Sequence, residues 1–326
     1  MKNRLLTLWL IWTLSGAALI FEIESSDSKN TILAVIAMVI STSPLLGLLL
    51  ALGSPKAWQQ FRAWLQNDKN SIVYTAGGIT LLFALPGIMT DTFNPYTTII
   101  FLFIVFAVFG SLKKFSSESF ELNWVDVALW ILLWIPFDLR WSMEMHPLLS
   151  YSWWSIAISV VAVIGWKGYR NAEIGINLVP KFKDIYIAFA ALLMIMVVVV
   201  PVGLLTGFLT FGFPEKLHVA KLAATFIGIF ITVALPEELF FRGILLTGLE
   251  KVASGKWIPA VVSSLAFGLM HWNNISGLHM QITYVSLATL AGLGYAWAYK
   301  KSGNNLLAAM LTHTLVDWVW RLVFAG

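Results

Sequence analysis

The sequence predicts an all-α fold, a polytopic transmembrane helical bundle of about 8–11 spans, and two observations support this. Hydrophobic residues make up 59% of the 326 residues and charged residues only 12%, whereas roughly a quarter of a soluble domain is charged. The apolar residues also fall into long runs, and roughly 20 of them suffice for a membrane-spanning helix. Helices are expected because an open sheet edge cannot lie in hydrocarbon.

Polar or basic connectors separate the apolar runs. The runs lie at 5–21, 31–53, 72–90, 96–111, 124–136, 151–166, 184–212, 220–247, 258–272, 280–299 and 304–323. The first run continues past its small residues, so we expect a retained helix rather than a cleaved signal peptide. The run at 124–136 is short and its helix carries Asp126 and Asp138, which leaves an interfacial or re-entrant helix as alternatives to a span.

The connectors also predict the orientation and a domain border. With the N-terminus in the cytoplasm, fifteen of the 21 Lys and Arg residues fall on the cytoplasmic side and five on the other, Arg242 lying within a run. Such an excess marks cytoplasmic loops. The longest basic connector, 167–184, separates N-terminal transmembrane helices of unassigned role (1–184) from a C-terminal functional core (185–326). No nucleic-acid partner is expected.

Cysteine is absent from the chain, which excludes disulfides, thiolate metal sites and a cysteine nucleophile. No internal repeat stands out in the sequence. Transporters built on inverted repeats are expected to show one weakly, so the sequence gives little support to that class.

Ionisable side chains inside the apolar runs mark a candidate site, because each costs roughly 2.5–3.5 kcal/mol to insert at a helix centre. These residues are Glu237, Glu238, Arg242, His271, His313 and Asp317. Counted from the proposed cytoplasmic ends at about 1.5 Å per residue, Glu237, His271 and His313 all lie roughly 14–20 Å deep. Three helices thus carry ionisable groups at similar depth, and we expect one shared site.

Helical spacing suggests partners within this group. Glu238 and Arg242 are four residues apart on one helix face, and they should pair because either charge alone is expensive to bury. Glu237 is rotated by about 100° and has no partner on its own helix, which suits a general base. His313 and Asp317 are also four apart, so Asp317 is placed to orient His313 or fix its tautomer.

Three motifs in this order resemble those of the CPBP family, the CAAX prenyl protease and bacteriocin-processing intramembrane proteases, also called the Abi family. The motifs are Glu-Glu-x-x-x-Arg at 237–242, Phe-x-x-x-His at 267–271 and His-x-x-x-Asp at 313–317. The resemblance covers about 220–322, and the N-terminal two thirds show no matching motif. It implies a C-terminal CPBP-like core that hydrolyses peptide bonds within or near the membrane.

The resemblance also implies roles for individual residues. Glu237 and His271 would activate a water molecule, and His313 and Asp317 would stabilise the oxyanion. The supporting residues would be Glu238, Arg242 and Phe267.

One departure from the family concerns Asp317, because the eukaryotic prenyl proteases carry Asn at that position. An ionised carboxylate cannot donate a hydrogen bond to an oxyanion, so Asp317 either is protonated, orients His313 or serves a metal. Glu237, His271 and His313 would make a three-ligand zinc site with an open position, but the helical His-Glu-x-x-His signature is absent. The cofactor question therefore stays open, with no cofactor or a divalent metal such as zinc as the alternatives.

Three functions are compatible with these residues. The leading one is an intramembrane endopeptidase acting on a peptide or protein at the membrane, with or without a lipid on the substrate. The alternatives are a proton-coupled membrane transporter that uses the same groups as a relay, and a catalytically idle immunity or scaffold protein of the same fold. We expect an integral membrane protein in contact with membrane lipids, in a plasma membrane of the bacterial type.

Overall fold

The computed structural model describes residues 55–326 except 117–119, 140–146, 178–179, 214–218, 256 and 326, together with scattered positions between 33 and 48. The predicted retained helix at 5–21 lies outside the described residues, as does most of the run at 31–53. The chain divides into two compact units, Met1–Ala172 and Glu173–Gly326. The predicted division of roles at 184/185 stays a prediction.

Five helices make up most of residues 55–172, the continuously described part of the first unit apart from 117–119 and 140–146. They are α1 (Pro55–Asn67), α2 (Ser71–Met89), α3 (Pro95–Lys114), α4 (Trp124–Asp138) and α5 (Pro147–Ala162), which continues as a π-helical stretch, Val163–Tyr169. Helices α2 to α5 occupy predicted apolar runs, whereas α1 lies in a stretch that was predicted to be a connector. Its apolar residues Trp58, Phe61 and Leu65 recur at helical spacing, a signal that the search for long apolar runs missed.

The interior of the first unit combines aromatic packing with a buried ion pair. The rings of Phe83, Phe101 and Trp154 meet with centroids 4.1–5.2 Å apart. Arg170 Nη2 lies 2.8 Å from Asp126 Oδ2, and Arg170 Nε donates to Asp126 Oδ1 at 2.9 Å. The acidic residue that made the status of α4 ambiguous is therefore neutralised by a bidentate partner from within the unit.

The described residues of the second unit form five helices and two very short strands. In chain order they are α6 (Phe182–Leu205), β1 (Thr210–Phe211), α7 (Val219–Val252), α8 (Ile258–Leu269), α9 (Leu278–Lys301), α10 (Leu306–Val323) and β2 (Phe324–Ala325), with a 3₁₀ turn at Trp272–Asn274 after α8. The predicted all-α class is confirmed. The apolar run at 184–212 is not helical to its end. Gly207 (φ +70°) lies two residues beyond the last residue of α6, in the left-handed conformation that ends many helices. Beyond it, β1 pairs antiparallel with β2.

Five helices among the described residues are long and apolar enough to cross a membrane. They are Ser71–Met89, Pro95–Lys114, Phe182–Leu205, Lys221–Val252 and Leu306–Val323, with shorter apolar helices at Trp124–Pro136 and Trp154–Tyr169. The chain is thus an integral membrane protein. The exact number of spans and the cytoplasmic N-terminus stay predictions, because the first two apolar runs are not described.

Helix α7 changes its hydrogen-bonding pattern on both sides of the acidic pair. A π-helical stretch at Phe230–Ala234 precedes a single α turn, Leu235–Glu238, and a second π-helical stretch at Leu239–Leu246 follows it. Pro236 lies in the central turn, where it supplies no backbone N–H for the helical ladder. Both glutamates therefore project from a short α turn between two wider turns, an irregularity that is frequent at functional sites.

Small residues let α6, α9 and α10 approach closely. Ala191, Ala298 and Ala308 are fully buried in one cluster. A methyl group on Gly294 of α9 would overlap the side chain of Ile195 of α6. Such close backbone contact is the usual way in which helices associate within a membrane, and it fixes α9 and α10 as the walls of the candidate site.

Candidate active site

Four helices of the second unit bring the predicted site residues together. The contributing side chains are Glu237, Glu238 and Arg242 from α7, Phe267 and His271 from the end of α8, Tyr284 and Tyr295 from α9, and His313 and Asp317 from α10. The three sequence motifs, which are spread over residues 237–317, therefore form one structural site.

His313 lies at the centre of the site and faces three carboxylates. Its Nδ1 is 2.8 Å from Glu238 Oε1, while its Nε2 is 3.7 Å from Glu237 Oε2 and 3.6 Å from Asp317 Oδ2. An ionised carboxylate can only accept a hydrogen bond, so the short contact makes His313 Nδ1 the donor to Glu238. The other nitrogen, Nε2, points toward Glu237 and Asp317.

Glu238 is shared between His313 and Arg242. Arg242 Nη1 donates to Glu238 Oε1 at 3.1 Å, and Arg242 Nη2 donates to the backbone carbonyl of Gly292 at 2.8 Å. The guanidinium carbon lies 4.7 Å from the ring centroid of Phe267. The pairing that the four-residue spacing predicted is present in the structure, and Arg242 in addition links α7 to α9.

His271 lies two residues after the last residue of α8 and is anchored by the end of that helix. Its Nδ1 is 2.9 Å from the backbone carbonyl of Phe267, and a carbonyl oxygen can only accept. Nδ1 therefore carries the proton in the neutral ring, which leaves the Nε2 lone pair free for a substrate or water. The imidazole packs against the rings of Phe267 and Tyr284, with centroids 4.8 and 5.1 Å away.

The ring of Phe267 packs against both histidines of the site. Its ring centroid lies 4.8 Å from that of His271 and 5.7 Å from that of His313, and the guanidinium of Arg242 lies over it. The side chain is buried. Phe267 thus sets the spacing between α8 and the α7–α10 pair.

The charged side chains of the site differ in their exposure to solvent. Glu238 and Arg242 have fully buried side chains, whereas 9% of the Glu237 side chain and 31% of the Asp317 side chain are accessible. The accessible part of the site therefore lies on the side of His313 that carries Nε2. The side that carries Nδ1 is sealed.

A family model matches this part of the chain, over residues 219–319. The family is described as type II CAAX prenyl endopeptidase Rce1-like. The C-terminal third is CAAX prenyl protease-like. The resemblance drawn from the three motifs is thereby confirmed, and all seven predicted site residues fall within the matched segment. Comparisons with curated proteins and with solved structures gave no match.

The structure of this CAAX prenyl protease-like segment adds contacts between helices to the predicted ones. Glu237, for which no partner on its own helix was predicted, faces His313 Nε2 from α10. Asp317, which was expected to orient His313 or fix its tautomer, lies 3.6 Å from His313 Nε2, and Glu238 occupies the place at Nδ1. Helical spacing detects partners within one helix only, and Glu238 and His313 are 75 residues apart.

Two aromatic residues of the site were missed by sequence reasoning. Tyr295 stacks on His313 with ring centroids 4.6 Å apart, and Tyr284 packs edge-on against His271. Eleven residues separate them on α9, about three helical turns, so they lie on one face. This spacing of two tyrosines in an apolar run was the available signal.

The zinc alternative was tested on the arrangement of possible ligands. Within the part of the chain that the structure describes, no three His, Asp or Glu side chains form a group that could hold a metal ion. Glu237, His271 and His313 are therefore not arranged as the three-ligand site considered from the sequence.

Proposed function

We propose that the CAAX prenyl protease-like segment is an endopeptidase in which Glu237 and His271 activate the attacking water. The observation that carries the proposal is that both histidines are anchored through Nδ1, one by Glu238 and one by the carbonyl of Phe267. Both Nε2 atoms are then available for the reaction. Anchoring of the second ring nitrogen is how proteins fix the tautomer of a functional histidine.

In the first step, the carboxylate of Glu237 accepts a proton from water as the new C–O bond forms. The lone pair of His271 Nε2 accepts a hydrogen bond from the same water and orients it. The electrons of the peptide C=O bond move to oxygen and form an oxyanion. The proton held by Glu237 then passes to the leaving nitrogen as the C–N bond breaks, so that the enzyme returns to its starting state. General acid–base transfer of this kind contributes about 10²–10⁴-fold.

His313 is the oxyanion donor in this proposal. Both of its nitrogens face carboxylate oxygens, which accept and do not donate, and a doubly protonated imidazole matches these neighbours. Nδ1–H stays bonded to Glu238, and Nε2–H turns to the developing oxyanion. One such donor is worth about 10²–10³ in kcat. Asp317 supplies compensating negative charge on the accessible side.

Glu238 and Arg242 are positioning residues in this scheme. Both are fully buried, so neither can reach a substrate. Their pairing holds the carboxylate that anchors His313 and ties α7 to the carbonyl of Gly292 on α9. Removing either residue is expected to affect catalysis through the position of His313.

The substrate class follows from the family at a coarse level, since proteases of the Rce1-like family act on proteins or peptides at the membrane. We propose a peptide or protein presented at the membrane surface as the substrate here. Whether a lipid on the substrate contributes to recognition is decided by offering matched peptides with and without a prenyl group.

The test uses the full-length protein in lipid nanodiscs with labelled peptides. Glu237→Gln and His271→Ala should each lower kcat/KM by about 100-fold or more. Two matched controls change the same residue types outside the site: Glu250→Gln, at a solvent-accessible ion pair with Lys300, and His279→Ala, at an exposed position. Both controls should cleave normally.

Normal cleavage by Glu237→Gln and His271→Ala would contradict the assignment of these two residues. Absence of cleavage with every form and every peptide would favour the alternative functions, a proton-coupled transporter or a catalytically idle protein of the same fold. Proton flux into liposomes that contain the protein distinguishes these two.

A further inference from the structure

We propose that Tyr295 is a positioning residue whose ring holds the imidazole of His313 in its working orientation. Through this stacking, Nδ1 of His313 meets Glu238 while Nε2 faces Glu237. The consequence for cleavage rests on the proposed function, but the effect on the ring of His313 does not.

The stacking geometry is close to parallel. The ring centroids of Tyr295 and His313 are 4.6 Å apart and the planes differ by 12°. Phe267 meets the same imidazole edge-on, at 5.7 Å and 87°. Tyr295 is buried, so no water competes for the face of the ring. The imidazole is thus confined by one parallel and one perpendicular neighbour.

A hydrogen bond alone does not fix the orientation of an imidazole. The terminal torsion of histidine is broad, and one bond at Nδ1 permits the ring to tilt about that contact. A parallel aromatic neighbour removes the tilt, because offset or parallel stacking is lost as the planes diverge. A flip of 180° preserves the stack but exchanges Nδ1 for a carbon atom, and the bond to Glu238 excludes it. The two contacts are therefore both required.

Arg242 fixes the place of Tyr295 relative to the acidic pair. Its guanidinium lies 5.3 Å from the ring centroid of Tyr295 and donates to the carbonyl of Gly292, about one turn earlier on α9. Four side chains thus form a closed ring of contacts. Arg242 pairs with Glu238 and Glu238 with His313, while Tyr295 stacks on His313 and contacts Arg242. A shift of any one member is transmitted to His313 Nε2.

The experiment compares three variants of the full-length protein. Tyr295→Leu removes the aromatic face, Tyr295→Phe keeps it and removes only the hydroxyl, and Tyr299→Leu serves as the matched control. Tyr299 lies one turn further along α9, is also buried and meets the hydroxyl of Thr247, which bonds the backbone carbonyl of Arg242 and not its guanidinium. Two readouts are used: peptide cleavage, and the ¹⁵N NMR signals of His313 assigned with a His313→Gln variant.

The proposal expects Tyr295→Leu to lower kcat by about tenfold, the upper range for an aromatic pair, with KM changed by less than about twofold. The ¹⁵N signals of His313 should change from one form to a mixture. Tyr295→Phe should restore most of the lost kcat and the single form, and Tyr299→Leu should change neither readout per folded molecule.

Unaltered ¹⁵N signals of His313 in Tyr295→Leu would overturn the proposal, and so would an equal loss of kcat in Tyr299→Leu. The NMR readout does not require the protein to be a protease. If no form cleaves any peptide, the proposed function fails while the spectra still decide the role of Tyr295.

Discussion

Glu238 Oε1 accepts hydrogen bonds from both His313 Nδ1, at 2.8 Å, and Arg242 Nη1, at 3.1 Å. One buried oxygen atom thus joins the first and third sequence motifs. Because the side chains of Glu238 and Arg242 are fully buried, both are positioning residues in the proposed mechanism, and the residues proposed to act on the substrate lie on the opposite side of His313.

Loss of Glu238 should destabilise the protein strongly. In Glu238→Ala, Arg242 is left as a buried charge without its carboxylate and His313 loses its anchor, and removal of one partner of a buried pair typically costs about 3–5 kcal/mol. Thermal unfolding in detergent, followed by tryptophan fluorescence, measures the effect. The control Glu250→Ala removes a solvent-accessible pair and should cost at most about 1 kcal/mol; equal losses in the two variants would refute the argument from burial.

Gly292→Ala should disturb the site through Arg242. A Cβ atom at this position would lie 3.0 Å from Arg242 Nη2 and 3.2 Å from both a ring carbon of Phe267 and Ser264 Cβ. Overpacking of this kind costs about 1–3 kcal/mol and should also lower kcat. Gly77→Ala in α2 is the control, because its Cβ would meet nothing within 4 Å and alanine favours helix by roughly 0.5–1 kcal/mol. The unfolding midpoints of the two variants should move in opposite directions.

Asp317 is expected to contribute through both its charge and its polar atoms. Asp317→Ala removes both and is expected to lower kcat by about 10–100-fold, because a charge that lies 3.6 Å from His313 Nε2 is lost. Asp317→Asn should lose less, because the amide can donate to the oxyanion while it gives up the charge. Steady-state cleavage assays compare them. A larger loss in Asn than in Ala would show that an amide is harmful there and would exclude oxyanion donation from this position.

Chelation should leave cleavage unchanged. The possible ligands among the described residues do not form a group that could hold a metal ion, and the proposed mechanism assigns the activation of water to Glu237 and His271 alone. The assay is peptide cleavage after dialysis against a strong zinc chelator, with a zinc-dependent protease treated in parallel. Loss of activity that returns on addition of zinc would contradict the arrangement of these residues.

Much of the fold was predictable from the sequence because the apolar runs are long. The runs at 72–90 and 96–111 became α2 and α3 almost residue for residue. The end of α6 was not predictable from hydropathy. Residues 206–212 continue the apolar run, but Gly207 among them adopts a left-handed backbone conformation. Helix α1 was missed because its apolar face is narrow and its other face is polar.

The proximity of the three motifs was predictable from the sequence, but the contacts between their side chains were not. Burial cost alone singled out Glu237, His271 and His313, since ionisable groups within apolar runs are rare. The bond between Glu238 and His313 depends on how α7 and α10 are placed in space, which spacing along one helix cannot supply. Tyr295 was missed for the same reason: an aromatic residue in an apolar run carries no sign of its neighbour.

The two π-helical stretches of α7 change the direction in which its later side chains point, compared with a regular α-helix of the same sequence. A π turn accommodates one more residue than an α turn, and one residue corresponds to about 100° of rotation. Deleting a single residue from Phe230–Ala234 would therefore give a more regular helix. It would also rotate the acidic pair about the helix axis relative to the residues that precede the deletion. The helical phase of α7, and not only its composition, determines which way Glu237 and Glu238 point.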